Sequence, residues 1–220
     1  MHDTRWSGED EARQFARAIL SIEAVTLSPN DPYTWSSGMR SPIYCDQRLT
    51  LSHPLVRSHI ADAFAKRLRL RYPDIELIAG TATGGIGHAA ILADRVSQPM
   101  VYVRSSAKGH GKQNLIEGRM LKGTHVAVVE DTVSTGGSVL HAVEAIREAG
   151  GHVSVVFTIF SYGFHVSQEA FARLGIKLEA LTDFTHVIET AQEMNVIKAQ
   201  DVELLMRFQE NPSAYSEAFR

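Results

Sequence analysis

Residues 126–142 read VAVVEDTVSTGGSVLHA, and three signals follow one another along this line. Residues 126–129 are all apolar, a run of the length expected for a strand buried on both faces. Two carboxylates, Glu130 and Asp131, close the run. Thr132, Val133, Ser134 and Thr135 then form a tight turn of small and hydroxyl residues, and Gly136-Gly137 opens an apolar-periodic helix. The spacing predicts a strand, a turn and a helix, the βα unit of an α/β sheet.

Such a turn has a chemical bias. Its backbone N–H groups converge on one point, and the helix N-terminus adds partial positive charge, so a phosphate monoester fits. The hydroxyls of Thr132, Ser134, Thr135 and Ser138 are further donors. The pattern G-x-x-x-x-G-K-[ST] is absent, which excludes a nucleoside-triphosphate P-loop. Carboxylates beside a phosphate would repel it, so Glu130 and Asp131 must address a neutral or positive part of the ligand. Vicinal ribose hydroxyls, or a sugar carbon gaining positive charge, meet that need, and a sugar 5-phosphate satisfies both halves. The plainer alternative is an ordinary turn whose Thr and Ser cap the helix, with Glu130 solvated. The adjoining acid pair weighs against it.

Outward from this unit the chain alternates. Apolar runs at 75–79, 99–103, 125–130 and 152–160 predict strands. Periodic stretches near 85–95 and 137–149 predict helices, the second stopped by Gly150-Gly151. The expected fold is therefore α/β, a parallel sheet flanked by helices on both faces. Ligands bind beyond the carboxyl ends of such strands, so the loops after Ala79, Val103 and Val129 are the places to search. An N-terminal helix is expected after Ser7-Gly8-Glu9-Asp10, with Phe15, Ala16, Ile19 and Leu20 on its apolar face. Residues 27–51 read as loops and a hairpin, and a second helix carries Pro54 in its first turn. The tail from Leu174 adds one strand, IKLEAL, and one or two helices.

The bulk numbers narrow the class. The chain has 220 residues, 44% hydrophobic and 21% charged, enough apolar material for one domain with a sizeable core. Its 22 basic and 25 acidic residues give no global field for nucleic acid or an anionic membrane. One cysteine, Cys45, excludes a disulfide framework and a cysteine-rich zinc site. The charged start and the lack of a membrane-length apolar run point to a soluble, cytoplasmic protein.

Two further loops carry chemistry. GTATGGIGHAA, residues 80–90, formally contains G-x-G-x-x-A from Gly85 to Ala90. A dinucleotide fingerprint would place its first glycine nearer the strand and an acid after the next strand, where Arg104 stands instead. RSSAKGHGKQNLIEG, residues 104–118, sets Arg104, Lys108, His110 and Lys112 among small residues with little apolar anchorage. A solvated surface loop is one reading; a lid closing over a highly charged leaving group is the other.

Residues 128–139, VVEDTVSTGGSV, resemble the phosphoribosyl-diphosphate-binding motif of the type I phosphoribosyltransferases in order, spacing and strand-to-helix context. The resemblance implies that Glu130 and Asp131 hold the ribose hydroxyls and that residues 132–138 cradle the 5-phosphate. It also implies that the loop holding Thr81, Thr83, Gly84 and Gly85 binds pyrophosphate through backbone amides. Some relatives carry a lysine in that loop; this chain does not. Residues 104–118 are similar to the mobile catalytic loop of the orotate phosphoribosyltransferases, R-x-x-x-K-x-H-G. By that likeness Lys108, His110 and Arg104 act on the leaving group together with Mg²⁺, and Asp131 works near the sugar. The metal is then held mainly by substrate and water. Ser105 replaces a lysine common in the family, and Lys112 is the candidate to compensate. In that family the loop reaches into the neighbouring subunit, so a homodimer is implied.

TWSSGMRSPIYCD, residues 34–46, reads by itself as a turn plus a short strand: a flat slot of aromatic and small polar residues, or a hairpin packed by Trp35 and Tyr44. It resembles the S-G-x-x-S-P-x-Y segment that binds orotate in the orotate phosphoribosyltransferases, which implies that Ser37, Gly38 and Tyr44 line the pyrimidine pocket. A lysine often found before that Ser-Gly pair is Ser36 here. An arginine expected after the fourth strand is missing, and Arg48 is the candidate to meet the orotate carboxylate. The resemblance spans roughly residues 15–190. It implies a single domain over 1–220, with residues 1–50 as a hood over the base site and 51–190 as the core. A transferase for another base, a non-catalytic sensor of phosphoribosyl diphosphate and a dinucleotide-binding oxidoreductase are the rival readings.

Overall fold

The computed structural model describes residues 9–35, 37–106 and 115–219. In chain order the elements are α1 (Glu9–Ser21), β1 (Val25–Leu27), β2 (Tyr33–Thr34), β3 (Arg40–Ser41), β4 (Ile43–Cys45), a 3₁₀ turn (Gln47–Ser52), α2 (Pro54–Arg71), β5 (Leu77–Thr81), α3 (Gly84–Val96), β6 (Met100–Val103) and β7 (Ile116–Glu117). They continue with β8 (His125–Val133), α4 (Gly137–Glu148), β9 (His152–Ser161), α5 (His165–Leu174), β10 (Lys177–Asp183), α6 (Phe184–Glu193), α7 (Ala199–Glu210) and α8 (Pro212–Glu217).

The main sheet runs β10-β9-β8-β5-β6-β7. Its first five strands are parallel, and β7 pairs antiparallel with β6. The apolar run that opened the sequence reading explains why helices cover both faces. Along β8, Ala127 and Val129 join the core under α1, α2, α3 and α6, while Val126 and Val128 join the core under α4 and α5. Both sets are essentially sealed from solvent, as the two-residue period of a strand between two helical layers requires. The chain is thus an α/β protein with a mostly parallel sheet flanked by helices. Gly150, at φ +88°, ends α4, and the N–H groups of Gly150 and Gly151 turn back onto the carbonyls of Arg147 and Ile146.

Three departures from the sequence reading matter for the site. β8 runs on through Val133, because Thr132 and Val133 pair with Phe160 and Ser161 of β9, so the turn begins at Ser134 rather than Thr132. β5 likewise ends at Thr81. The two ends of the 104–118 stretch are anchored: Arg104 N–H donates to Leu115 O at 2.9 Å, and Ile116 and Glu117 pair with Val103 and Tyr102.

Candidate active site

The carboxyl ends of β5, β6 and β8 lie side by side, and at the end of β8 the two acids differ sharply. Glu130 is only 6% exposed, and one of its carboxylate oxygens accepts the Asp131 N–H at 3.1 Å. Asp131 is more open and accepts the N–H of Thr132 at 2.8 Å. Consecutive strand residues face opposite ways, so the pair cannot present itself as one double charge. Burial first, and the neighbouring Asp131 charge second, push the Glu130 carboxyl from 4.5 up to about 8. Glu130 is thereby biased toward its neutral form, which eases the pair's conflict with a phosphate alongside.

This shift predicts a pH effect. A raised carboxyl stabilises the fold in its protonated form, so that contribution is complete below 4.5 and is lost as pH rises through about 8. Urea denaturation midpoints are expected to decline across that window. Glu130→Gln should flatten the decline, and an unchanged slope in that variant would mean the group titrates normally.

After β8, residues 134–136 form the turn. Gly136, at φ +87°, is buried where an added Cβ would stand 3.4 Å from Phe171 and 3.6 Å from Ser167. α4 starts with no side-chain cap, so its hydroxyl residues do not serve as the caps an ordinary turn would use. Thr135, Gly137 and Ser138 are exposed around that start. α3 also begins uncapped, at Thr83. Two helix N-termini thus stand open above neighbouring parallel strands.

Glycine is what lets the two loops meet. A Cβ on Gly84 would come within 2.1 Å of Asp131 Oδ2, so the acid lies directly over the loop after β5. On Gly85 it would fall 2.2 Å from the Val129 carbonyl oxygen, which also accepts a hydrogen bond from Thr81 Oγ1 at 3.1 Å. On Gly87 it would meet Leu51 at 2.9 Å. The G-x-G spacing therefore reflects two close packing contacts, one against β8 and one against the 3₁₀ turn.

At the end of β6, Arg104 Nη1 lies 3.6 Å from Glu117 Oε1 and is buried without a hydrogen-bond partner among the described residues. Lys108, His110 and Lys112 lie outside the described residues.

The N-terminal segment abuts the acids. Cys45 Sγ lies 3.4 Å from Thr132 Oγ1 and accepts from Gln47 Nε2 at 3.3 Å; burial pushes its thiol up to about 12, so it is neutral. His88 Nε2 lies 3.0 Å from Thr50 Oγ1, and burial lowers its pKa to about 4. Arg48 forms a two-pronged pair with Asp46, at 2.6 and 2.9 Å. The arginine suggested for the orotate carboxylate is thus already matched by a carboxylate. Of the predicted slot residues, Gly38 sits at φ +83° with open space where a Cβ would be. Ser37 Oγ accepts the Met39 N–H at 3.4 Å. Tyr44 is 47% exposed, its ring 5.7 Å from that of Tyr33. Trp35 takes the packing role instead, edge-on to Tyr162 and Phe208. Cys45, Gln47 and His88 escaped the sequence reading, because their link to the site depends on contacts far along the chain.

The model of the phosphoribosyl transferase domain family matches residues 50–161. An orotate phosphoribosyltransferase of Halalkalibacterium halodurans is 47% identical over 201 residues, covering 91% of this chain and 96% of the relative. The chain belongs to the orotate phosphoribosyltransferases. One from Staphylococcus aureus is 48% identical over 200 residues, covering 91% of this chain and 98% of its own. Among solved structures, the orotate phosphoribosyltransferase of Aeropyrum pernix superposes with a TM-score of 0.72 at 29% identity, covering 84% of this chain and 99% of that one. The orotate phosphoribosyltransferase family membership removes the oxidoreductase reading, which had rested on the G-x-G spacing. Among the described residues no helix is long and apolar enough to cross a membrane, and no group of three or more His, Cys, Asp or Glu could by itself hold a metal ion.

Proposed function

We propose that two strand-end loops and a lid divide one donor between them as the enzyme transfers the phosphoribosyl group of 5-phosphoribosyl 1-diphosphate to orotate, giving orotidine 5-phosphate and pyrophosphate. One observation carries the reading: Asp131 stands against Gly84, joining the acid pair to the loop after β5. In this reading Ser134, Thr135, Gly136, Gly137 and Ser138 take the 5-phosphate at the uncapped start of α4, with Thr132 and Val133 leading into them from the end of β8. Asp131 and Glu130 accept hydrogen bonds from ribose hydroxyls. Thr83 and Gly84 offer backbone amides to the diphosphate at the start of α3. Ser37, Gly38 and Tyr44 form one wall of the orotate slot.

Departure of the diphosphate runs ahead of attack by orotate N1, so positive charge builds on ribose C1 and negative charge on the leaving oxygen. Catalysis is then mainly electrostatic. The Asp131 carboxylate steadies the sugar; Lys108, His110 and Arg104 steady the diphosphate, with Lys112 beside them. Arg104 Nη1, which has no hydrogen-bond partner among the described residues, is a donor suited to that oxyanion. Mg²⁺ carried on the diphosphate supplies further charge neutralisation when bound. Asp131 suits it, since this hard ion takes one or two carboxylates beside phosphate oxygens and water. We read the enzyme as a cytoplasmic homodimer of single-domain subunits, the lid of each, residues 104–118, reaching into its neighbour's site. The R-x-x-x-K-x-H-G pattern supports the shared lid, and the single cysteine suits a reducing compartment.

The test incubates the protein with phosphoribosyl diphosphate, Mg²⁺ and a panel of bases. Ultraviolet loss of orotate is the expected result. Consumption of hypoxanthine or uracil alone would overturn the acceptor assignment, and no turnover with any base would favour a sensor.

A further inference from the structure

The β2–β3 hairpin has two residues in each strand, too few to hold a shape alone in water. Its support comes from the far end of the chain. Arg40 N–H, an edge donor of β3, is accepted by Ser216 Oγ of α8 at 2.9 Å. Tyr215 of the same helix donates its hydroxyl to Pro29 O at 3.0 Å, just before the hairpin. Asn30 Nδ2 donates to Asp201 Oδ1 of α7 at 3.2 Å. Trp35, at the hairpin turn, rests edge-on against Phe208 of α7, which in turn meets Tyr215 edge-on with centroids 5.3 Å apart. Ser216, Tyr215 and Phe208 are all buried.

The placement of these contacts is informative. The phosphoribosyl transferase domain match, residues 50–161, includes neither the hairpin nor α7 and α8. Two segments at opposite ends of the chain, both outside that match, therefore meet each other. The hydrogen bonds that tie α8 to the rest of the protein through Ser216 and Tyr215 go to the hairpin segment. Inside the hairpin, Arg40 Nη1 donates to Thr34 Oγ1 at 2.7 Å, so displacing Arg40 would carry the opposite strand with it.

We propose that Ser216 and Tyr215 are positioning residues for orotate: through Arg40 and Pro29 they lock the hairpin that forms one wall of the base slot. This rests on the reading of residues 34–46 as the orotate segment. Removing the Ser216 hydroxyl takes one hydrogen bond from the hairpin, removing the Tyr215 hydroxyl takes one from the segment leading into it, and both leave the phosphate loops untouched.

The experiment compares the full-length enzyme with Ser216→Ala, Tyr215→Phe and Ser216→Thr, measuring KM for orotate and for phosphoribosyl diphosphate, kcat, and the melting temperature. Ser216→Ala and Tyr215→Phe are each expected to raise the orotate KM by about fivefold, the equivalent of one ordinary hydrogen bond. KM for phosphoribosyl diphosphate should stay within about twofold on the same scale. Ser216→Thr, which keeps the acceptor oxygen, should restore the orotate KM. An unchanged orotate KM in both hydroxyl-deleted variants overturns the proposal. So does a parallel rise in both KM values with a lowered melting temperature, which would mark a merely structural role. Lack of orotate turnover by the unaltered enzyme would sink the base assignment and this proposal with it. Normal turnover there, with unmoved KM values in the variants, sinks the brace alone.

Discussion

Alanine at Lys108 is expected to lower kcat by about a hundredfold or more, close to 3 kcal/mol of barrier, with the fold intact. The reaction expels a diphosphate, and charge on its bridging oxygen grows as the bond to ribose C1 breaks. Cations meeting that oxygen only in the transition state raise kcat rather than substrate affinity. Arg104 is held at the end of β6 through Leu115 and Glu117, so on the proposed assignment Lys108 and His110, with Lys112 beside them, are the cations that a closing loop would bring to the diphosphate. Lys108→Ala should therefore reduce kcat far more than it alters KM for either substrate, and its circular dichroism and melting curve should match those of the parent. Near-normal turnover would remove the lid from the chemistry.

Gly85→Ala should act through stability. The new Cβ would lie 2.2 Å from the Val129 carbonyl oxygen and 2.6 Å from Thr81 Oγ1. Neither can yield easily: Val129 belongs to the central strand of the sheet, and Thr81 is buried beneath the helix. α3 must lift from the sheet, at a cost of about 3 kcal/mol, the upper range for overpacking a core. For a chain of this size that is a drop of roughly 6 to 12 °C in melting temperature. Gly137→Ala, where nothing lies within 4 Å, is the control and should melt within about 1 °C of the parent. A Gly85→Ala protein as stable as that control would show that the α3–β8 contact is looser than its geometry implies.

The sheet was legible where its strands are sealed on both faces: residues 126–129 are all apolar and buried, and residues 155–160 are buried and apolar except for Thr158, whose hydroxyl donates to Phe160 O. Strand ends were not legible. Thr132 and Val133 look like loop residues, and only pairing with Phe160 and Ser161 makes them strand. β7 gave no local signal at all, since Ile116 and Glu117 form a strand only because Val103 and Tyr102 lie beside them. At the site, the residue types and their order could be read directly, as the chemistry demands acids and then small donors at fixed spacing. Their unequal burial was less visible, although strand alternation through Val133 would have separated Glu130 from Asp131. That Trp35 packs was one of the two readings of residues 34–46; what it packs on was not legible, because Tyr162 and Phe208 are well over a hundred residues away.

β7 has one more consequence. A parallel sheet that stopped at β6 would offer a row of bare N–H and C=O groups to any extended chain nearby. Ile116 and Glu117 occupy that row, and their length of two residues leaves little template beyond them. The residues that close the 104–118 segment therefore also cover the outer half of the β6 edge, and a change that unpinned them is expected to raise the tendency to aggregate.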